Sequence, residues 1–410
     1  MGTPGQLADG CEDHTSQQRS HCLDRLNWSG TTQRVCDRKW DRLESRVFGK
    51  TTEGSTGRLV QLCAGYFLFY VATGLIVKFF TGSVDGAAPR MNDMAFLAYN
   101  TFGANLTCLI PVLVLGWWRM DSIRTIRVGN WQIPSELLYI IPSGVCTAIV
   151  IPTTTLMYTL PISVMVAMVI MRASVIVIGR VVDGVQIAQG ILTKRVYWEE
   201  NAAVAFAVLA ASIELMGSNG GSFDFIHNRA AMIILTSYIV AYAIRIYIMN
   251  YYKNTRPKGA PLNNRAFFAT EQIAASITMV AIATFVFFSP RFIKGWGELH
   301  QVAGFVTAIQ SPMPTWMWAS LSGVAFGIVA FFSVFIFMFK GRTATFTGLV
   351  NRLTSLVAGT TATLLGWVFF GSKFPTLQNW VSLGFVLVAV AFLTRAERKR
   401  AEELKAAKEI

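Results

Sequence analysis

The sequence predicts an all-α polytopic membrane protein whose ten transmembrane helices form two inverted five-helix repeats. Three observations carry that prediction: apolar composition with sparse charge, ten apolar blocks of bilayer length, and short collinear matches between the two halves. Of the 410 residues, 53% are hydrophobic and only 14% are charged. A water-soluble domain would need an implausibly large core to hide so much apolar side chain.

Residues 1–58 are polar and predict a disordered cytoplasmic tail, with no cleavable signal peptide. Cys11, Cys22 and Cys36 lie there in no common zinc spacing, and Cys63, Cys108 and Cys146 fall in apolar blocks. Neither a disulfide framework nor a metal centre is therefore expected. "NWS" at Asn27 has the form of a glycosylation sequon but falls on the cytoplasmic side, and "GKT" at Gly49 lacks the first glycine of a phosphate loop. ATP hydrolysis is not expected.

The apolar blocks follow in order: Val60–Phe80, Met94–Trp117, Glu136–Leu156, Ile162–Val182, Asn201–Gly217, Ala230–Asn250, Ala266–Phe288, Thr315–Met338, Thr343–Phe370 and Asn379–Thr394. About 20 apolar residues cross the hydrocarbon, and backbone groups there must be satisfied within the segment, so each block reads as a helix. The fifth and tenth are the shortest. The first repeat spans 59–218 and the second 229–395, followed by a basic cytoplasmic C-terminal helix over 396–410.

The net charge of +13 follows from topology. An even number of helices puts both termini on one side. That side collects the tail, Arg119, Arg124, Arg127, Lys194, Arg195, Lys253, Arg256, Lys258, Arg265, Lys340, Arg342 and the "RAERKRAEELKAAK" end. The far loops, 81–93 and 289–314 among them, hold fewer cations. This bias places both termini in the cytoplasm and removes the need for a nucleic-acid partner.

"AFLAYN" from Ala95 matches "AFFATE" from Ala266, "SGV" from Ser143 matches "SGV" from Ser322, and "MRAS" from Met171 matches "NRLT" from Asn351. Five helices per copy is odd, so the second copy enters the membrane from the opposite side. Arg172 and Arg352 become equivalent. Both guanidinium groups are expected at similar depth near the midplane, in one cavity at the repeat interface. Two buried cations repel unless an anion joins them for part of the cycle, which suggests an anionic solute.

Glu271 aligns with Asn100 and reads as a proton-coupling group, a counter-ion to Arg352 or Arg172, or a carboxylate at headgroup level. Arg245 and Lys78 read as snorkelling cations near helix ends, and Arg180 as a surface pair with Asp183. Thr153, Thr154 and Thr155 follow Pro152 and are expected to bond freed backbone. Tyr158, Asn351, Thr354 and Ser355 are candidates for the pocket around the arginines. "GVAFG" at Gly323–Gly327 reads as a helix-packing motif.

The final two blocks, "FTGLVNRLTSLVAGTTATLLGWVFFGSKFPTLQNWVSLGFVLVAVAFL", closely resemble those of the drug/metabolite transporter superfamily. Its EamA-like and nucleotide-sugar or triose-phosphate members show the same order: a basic or polar pair, a Ser/Thr-rich helix, a short turn and a last apolar helix. "VMVAMVIMRASVIVIGRVV" is similar to the fourth helix of nucleotide-sugar-transporter-like proteins. The resemblance spans about residues 58 to 395, and it implies a secondary-active transporter of phosphorylated or nucleotide-linked metabolites. Phosphate-carrying members have a Lys-Arg pair where this chain has Asn351–Arg352, one cation fewer.

The expected substrate-binding set is Arg172, Arg352, Asn351, Thr354, Tyr158 and Asn100, with Glu271 as coupling group or counter-ion. No catalytic residue, cofactor or metal is expected. All four histidines fall outside the blocks, so an enzyme is disfavoured. The expected partners are a small-molecule solute and the bilayer, with a second copy of the chain left open. Export of neutral or amphipathic solutes with structural arginines, or a non-transporting receptor or scaffold, remains the alternative. A bacterial inner membrane and a eukaryotic organelle membrane fit the sequence equally.

Overall fold

The structure, a computed structural model, describes residues 56–81, 91–118, 125–128, 131–160, 162–192, 196–216, 228–256, 263–337, 339, 344–372 and 374–409. The expected tail, with its cysteines and its Asn27 and Gly49 motifs, lies outside them. The described elements are α1 Thr56–Thr81, α2 Asp93–Val114, β1 Thr125–Val128, β2 Trp131–Pro134, α3 Leu137–Thr159, α4 Val164–Ala188 and α5 Trp198–Met216. They continue with α6 Arg229–Asn254, α7 Asn264–Phe292, α8 His300–Gln310, α9 Trp316–Phe337, α10 Ala344–Phe370 and α11 Leu377–Glu409.

Nine of these helices are long and apolar enough to cross a bilayer. α5 is not among them, since it carries Glu199, Glu200 and Glu214 within 19 residues. The molecule is an all-α polytopic membrane protein, as its composition predicts. Each expected block contains a helix, and the ends differ by up to several residues. α1 begins at Thr56, ahead of the expected tail boundary, and α6 runs four residues beyond Asn250. The expected C-terminal helix at 396–410 is the uninterrupted continuation of α11 as far as Glu409.

Helix starts are set by side chains that accept orphan backbone N–H groups. Asn92 caps α2 through Met94 N, Ser163 caps α4 through Val166 N, and Asn228 caps α6 through Ala231 N. Gly190 ends α4 at φ +70°, the left-handed conformation that lets Ile191 N–H reach back to Gln186 O at 3.0 Å. The three threonines that follow Pro152 in α3 bond carbonyls of their own helix. None bonds Ala148 O, the carbonyl that Pro152 leaves without an N–H, so the expectation that they satisfy freed backbone is not met. Thr153 bonds Ile149 O at 2.7 Å, Thr154 bonds Val150 O at 2.7 Å and Thr155 bonds Ile151 O at 3.3 Å.

Two small elements lie in loops. β1 and β2 form an antiparallel hairpin with Thr125 opposite Pro134 and Val128 opposite Trp131. α8 falls inside the 289–314 connection and docks on α2, where Tyr99 donates to Ala308 O at 2.6 Å.

Packing runs across the two halves of the sequence. α2 packs extensively on α9, and α7 on α3; α6 packs on α3, and α1 on α9; α10 lies against α1 and α4, and α5 against α11. The closest approach is α2 on α9. A Cβ at Gly103 would sit 1.8 Å from Ser320 O, one at Gly323 would sit 2.1 Å from Asn100 O, and one at Gly327 would sit 2.7 Å from Ala104 O. "GVAFG" is thus a packing surface, as its small residues predict. A Cβ at Gly144 of α3 would likewise sit 2.7 Å from Glu271 O on α7.

Candidate functional site

The bundle interior holds a cavity walled by α1, α3, α4, α6, α7 and α9. Arg172 enters it from α4 and is 5% exposed. Its Nη2 donates to the Tyr70 hydroxyl at 2.8 Å and to the Tyr66 hydroxyl at 3.4 Å, and its cation sits 5.6 Å from the Tyr70 ring centre. Two relays lead away. Tyr70 and Tyr158 share a 2.7 Å hydrogen bond, and Tyr158 donates on to Met168 Sδ at 3.4 Å. Tyr66 donates to Asn351 Oδ1 at 3.4 Å, and Asn351 Nδ2 donates to Ser333 Oγ at 3.2 Å.

Among the described residues, no carboxylate pairs with Arg172, and its buried Nε has no acceptor. Phenol oxygens orient the guanidinium but do not cancel its charge. Tyr238 and Tyr242 of α6 line the same cavity with rings 5.2 Å apart, and their hydroxyls make no hydrogen bond within the described protein.

Across the cavity lies a saturated ion pair. Arg245 Nε and Nη2 reach Glu271 Oε1 and Oε2 at 2.8 and 2.9 Å, a bidentate fork. Ser143 and Thr147 add hydrogen bonds to Oε1 at 2.6 and 3.1 Å. This arrangement corrects two expectations. Glu271 is the counter-ion of neither Arg172 nor Arg352, and at 2% exposure it is not a headgroup-level carboxylate. Arg245, 9% exposed, does not snorkel. α6 continues to Asn254, which leaves Arg245 more than two turns inside the helix. Lys78 stays near a helix end, where its amine donates to Leu160 O at 2.9 Å beyond the last turn of α3.

Arg352 does not join Arg172 in this cavity. Both residues stand eight positions from the first residue of their helices (172 − 164 and 352 − 344). α4 and α10 cross antiparallel, however, with Met168 at Gly359 and Arg352 at Gly179. Gly179 lies seven residues past Arg172, so the guanidinium groups are offset by roughly 10 Å along the helix. Arg352, 8% exposed, lines a second cavity with Gly179, Arg180, Asp183, Glu200 and Lys253. The two cavities share no lining residue. Arg180 donates from Nε to Asn201 at 3.0 Å.

Of the other expected site residues, Tyr158 and Asn351 belong to the relays around Arg172. Thr354 bonds Val350 O at 2.8 Å within its own helix and does not line either cavity. Asn100 is buried at the α2–α9 contact, also outside both cavities. Apart from Tyr158, the sequence reading missed the tyrosines of this cavity, although a signal was present. Tyr66 and Tyr70 repeat as Tyr238 and Tyr242, the same spacing of four at an offset of 172 (238 − 66 and 242 − 70).

An all-α polytopic membrane bundle with a buried, carboxylate-free arginine in an aromatic cavity is the class that fold and site define. No family model matches the sequence, and no curated protein matches it. A solved structure described as "Crystal structure of protein" aligns over 84% of this chain and 99% of its own length, at 14% identity and a TM-score of 0.40. A score that low carries no argument.

Proposed function

We propose that this chain is a secondary-active transporter of a small anionic metabolite, working by alternating access at a site between two inverted five-helix repeats. Arg172 carries the reading. A buried guanidinium held only by phenols costs the bilayer-embedded fold several kcal/mol unless an anion joins it. A solute carboxylate or phosphate would supply that partner.

The repeats are supported by the way matched residues meet. Asn100 and Glu271 are equivalents, as are Gly144 and Gly323. Gly144 packs on the backbone of Glu271, and Gly323 on that of Asn100. α5 then serves as the tenth span, the equivalent of α11 on which it packs. Both termini are assigned to the cytoplasm on the distribution of Lys and Arg.

Glu271 serves as the structural partner of Arg245, with its carboxylate held by four donor groups from Arg245, Ser143 and Thr147. Exchange of one anion for another, or proton coupling, would replace ATP as the source of drive. The resemblance to drug/metabolite transporters agrees with this reading. The test is uptake by proteoliposomes of the full chain, with pooled anionic and pooled neutral metabolites. Anion uptake that Arg172→Met abolishes and Arg172→Lys restores in part is the expected result. Uptake confined to neutral solutes, or unchanged in Arg172→Met, overturns the reading.

A further inference from the structure

A single buried guanidinium is compatible with many anions, and the rest of the cavity narrows the choice. Resting on the reading of that cavity as the solute site, we infer that its ligand is a monoanion carrying a planar aromatic ring, an arylcarboxylate in type, rather than a multiply charged phosphate.

Charge sets the first condition. The acidic and basic side chains lining the cavity are Arg172, Arg245 and Glu271. Arg245 and Glu271 cancel each other through the bidentate fork. Arg352 and Lys253 line the other cavity. One positive charge is therefore left to be matched. A dianion would bring one negative charge more than the walls neutralise, and burying that excess is strongly unfavourable.

Hydrogen bonding agrees. Among the described residues, the groups at this cavity without a hydrogen-bond partner include the Arg172 Nε–H and the hydroxyls of Tyr238 and Tyr242. All can donate, and two oxygens on one carboxylate can accept from several of them.

Shape and surface set the second condition. Tyr66, Tyr70, Tyr238, Tyr242, Phe268 and Phe326 present ring faces or edges to one space. Tyr66 and Tyr70 meet edge to face, with centroids 5.1 Å apart at 73°. Walls of this kind favour a flat π-system, which gains offset-stacked or edge contacts beyond simple area burial. The space is small, about 80 Å³, which suits one ring with its acid and not a nucleotide-linked sugar.

The experiment titrates the purified full-length chain with four probes: benzoate, cyclohexanecarboxylate, benzyl alcohol and phenyl phosphate. The work is done at pH 7.5, where the phosphate monoester is mostly dianionic (second pKa about 6). Benzoate is expected to bind about tenfold tighter than benzyl alcohol and phenyl phosphate, the step set by matching the single charge, and about fivefold tighter than cyclohexanecarboxylate, the step that aromatic ring contacts make. Tyr242→Phe is expected to weaken benzoate by about fivefold and leave benzyl alcohol unchanged, because it removes a single donor and keeps the ring. It tests the site even if Arg172→Met fails to fold. Tighter binding of phenyl phosphate, or equal binding of cyclohexanecarboxylate, overturns the substrate class while the anion-transporter reading survives. Equal binding of benzyl alcohol overturns both. No binding by any probe overturns the inference.

Discussion

Two buried arginines in one bundle make opposite predictions. Arg245 is engaged by Glu271, so removing either partner leaves an uncompensated charge in the bundle. Glu271→Gln or Arg245→Met alone is expected to cost about 3–5 kcal/mol, and the double variant to recover most of it. Denaturation of the purified protein in detergent, run as a double-mutant cycle, reads this directly. Arg172 has no carboxylate to strand. Arg172→Met removes a desolvated charge and is expected to leave the melting temperature unchanged or raised, while anion-dependent stabilisation disappears. A collapse in stability there would show that the tyrosines alone constitute its structural partner. Glu271 was legible in the sequence because acids deep in apolar blocks are scarce. Its partner was not, because Arg245 stands five residues from the expected helix end at Asn250 (250 − 245) but nine from the actual end at Asn254 (254 − 245). The tyrosines escaped notice because a Y-x3-Y spacing on one helix is ordinary, and only its recurrence 172 residues later is informative.

At the scale of elements, the long helices were readable because the bilayer imposes their length, and they needed no knowledge of packing. The hairpin at 125–134 and helix α8 were not, since each is short and takes its stability from what it docks against. Relative depth was also illegible. Equal offsets along two helices say nothing about how those helices cross, and the antiparallel crossing of α4 and α10 sends Arg172 and Arg352 to separate cavities. Glycines sort into two kinds by the same logic. Gly323→Leu must displace the α2 backbone and is expected to cost more than about 3 kcal/mol, read as lost insertion or a lower melting temperature. A methyl group added at Gly384 of α11 would meet nothing within 4 Å. Gly384→Ala is expected to be neutral or stabilising by up to about 1 kcal/mol, a control on the same expression assay.

For the whole molecule, sidedness is the property most exposed to test. In a chain stripped of its native cysteines, Ser311→Cys beside α8 and Thr125→Cys on the hairpin are expected to label from opposite faces, with Thr125 cytoplasmic. Labelling of both from one face removes the inverted arrangement and, with it, the alternating-access reading. The close backbone contact between α2 and α9 has a mechanical consequence. With carbonyls seated on glycines and no side chain between, those two helices cannot slide past one another without lifting apart, and α3 is similarly seated on α7. One partner of each couple comes from each half of the gene product. The cavity lies between these couples, with α9 on one wall and α3 and α7 on the other. Under the proposed transport reading, any opening of the cavity would hinge along a seam that cuts through both halves of the sequence. The halves that resemble one another and the bodies that move would then be different objects.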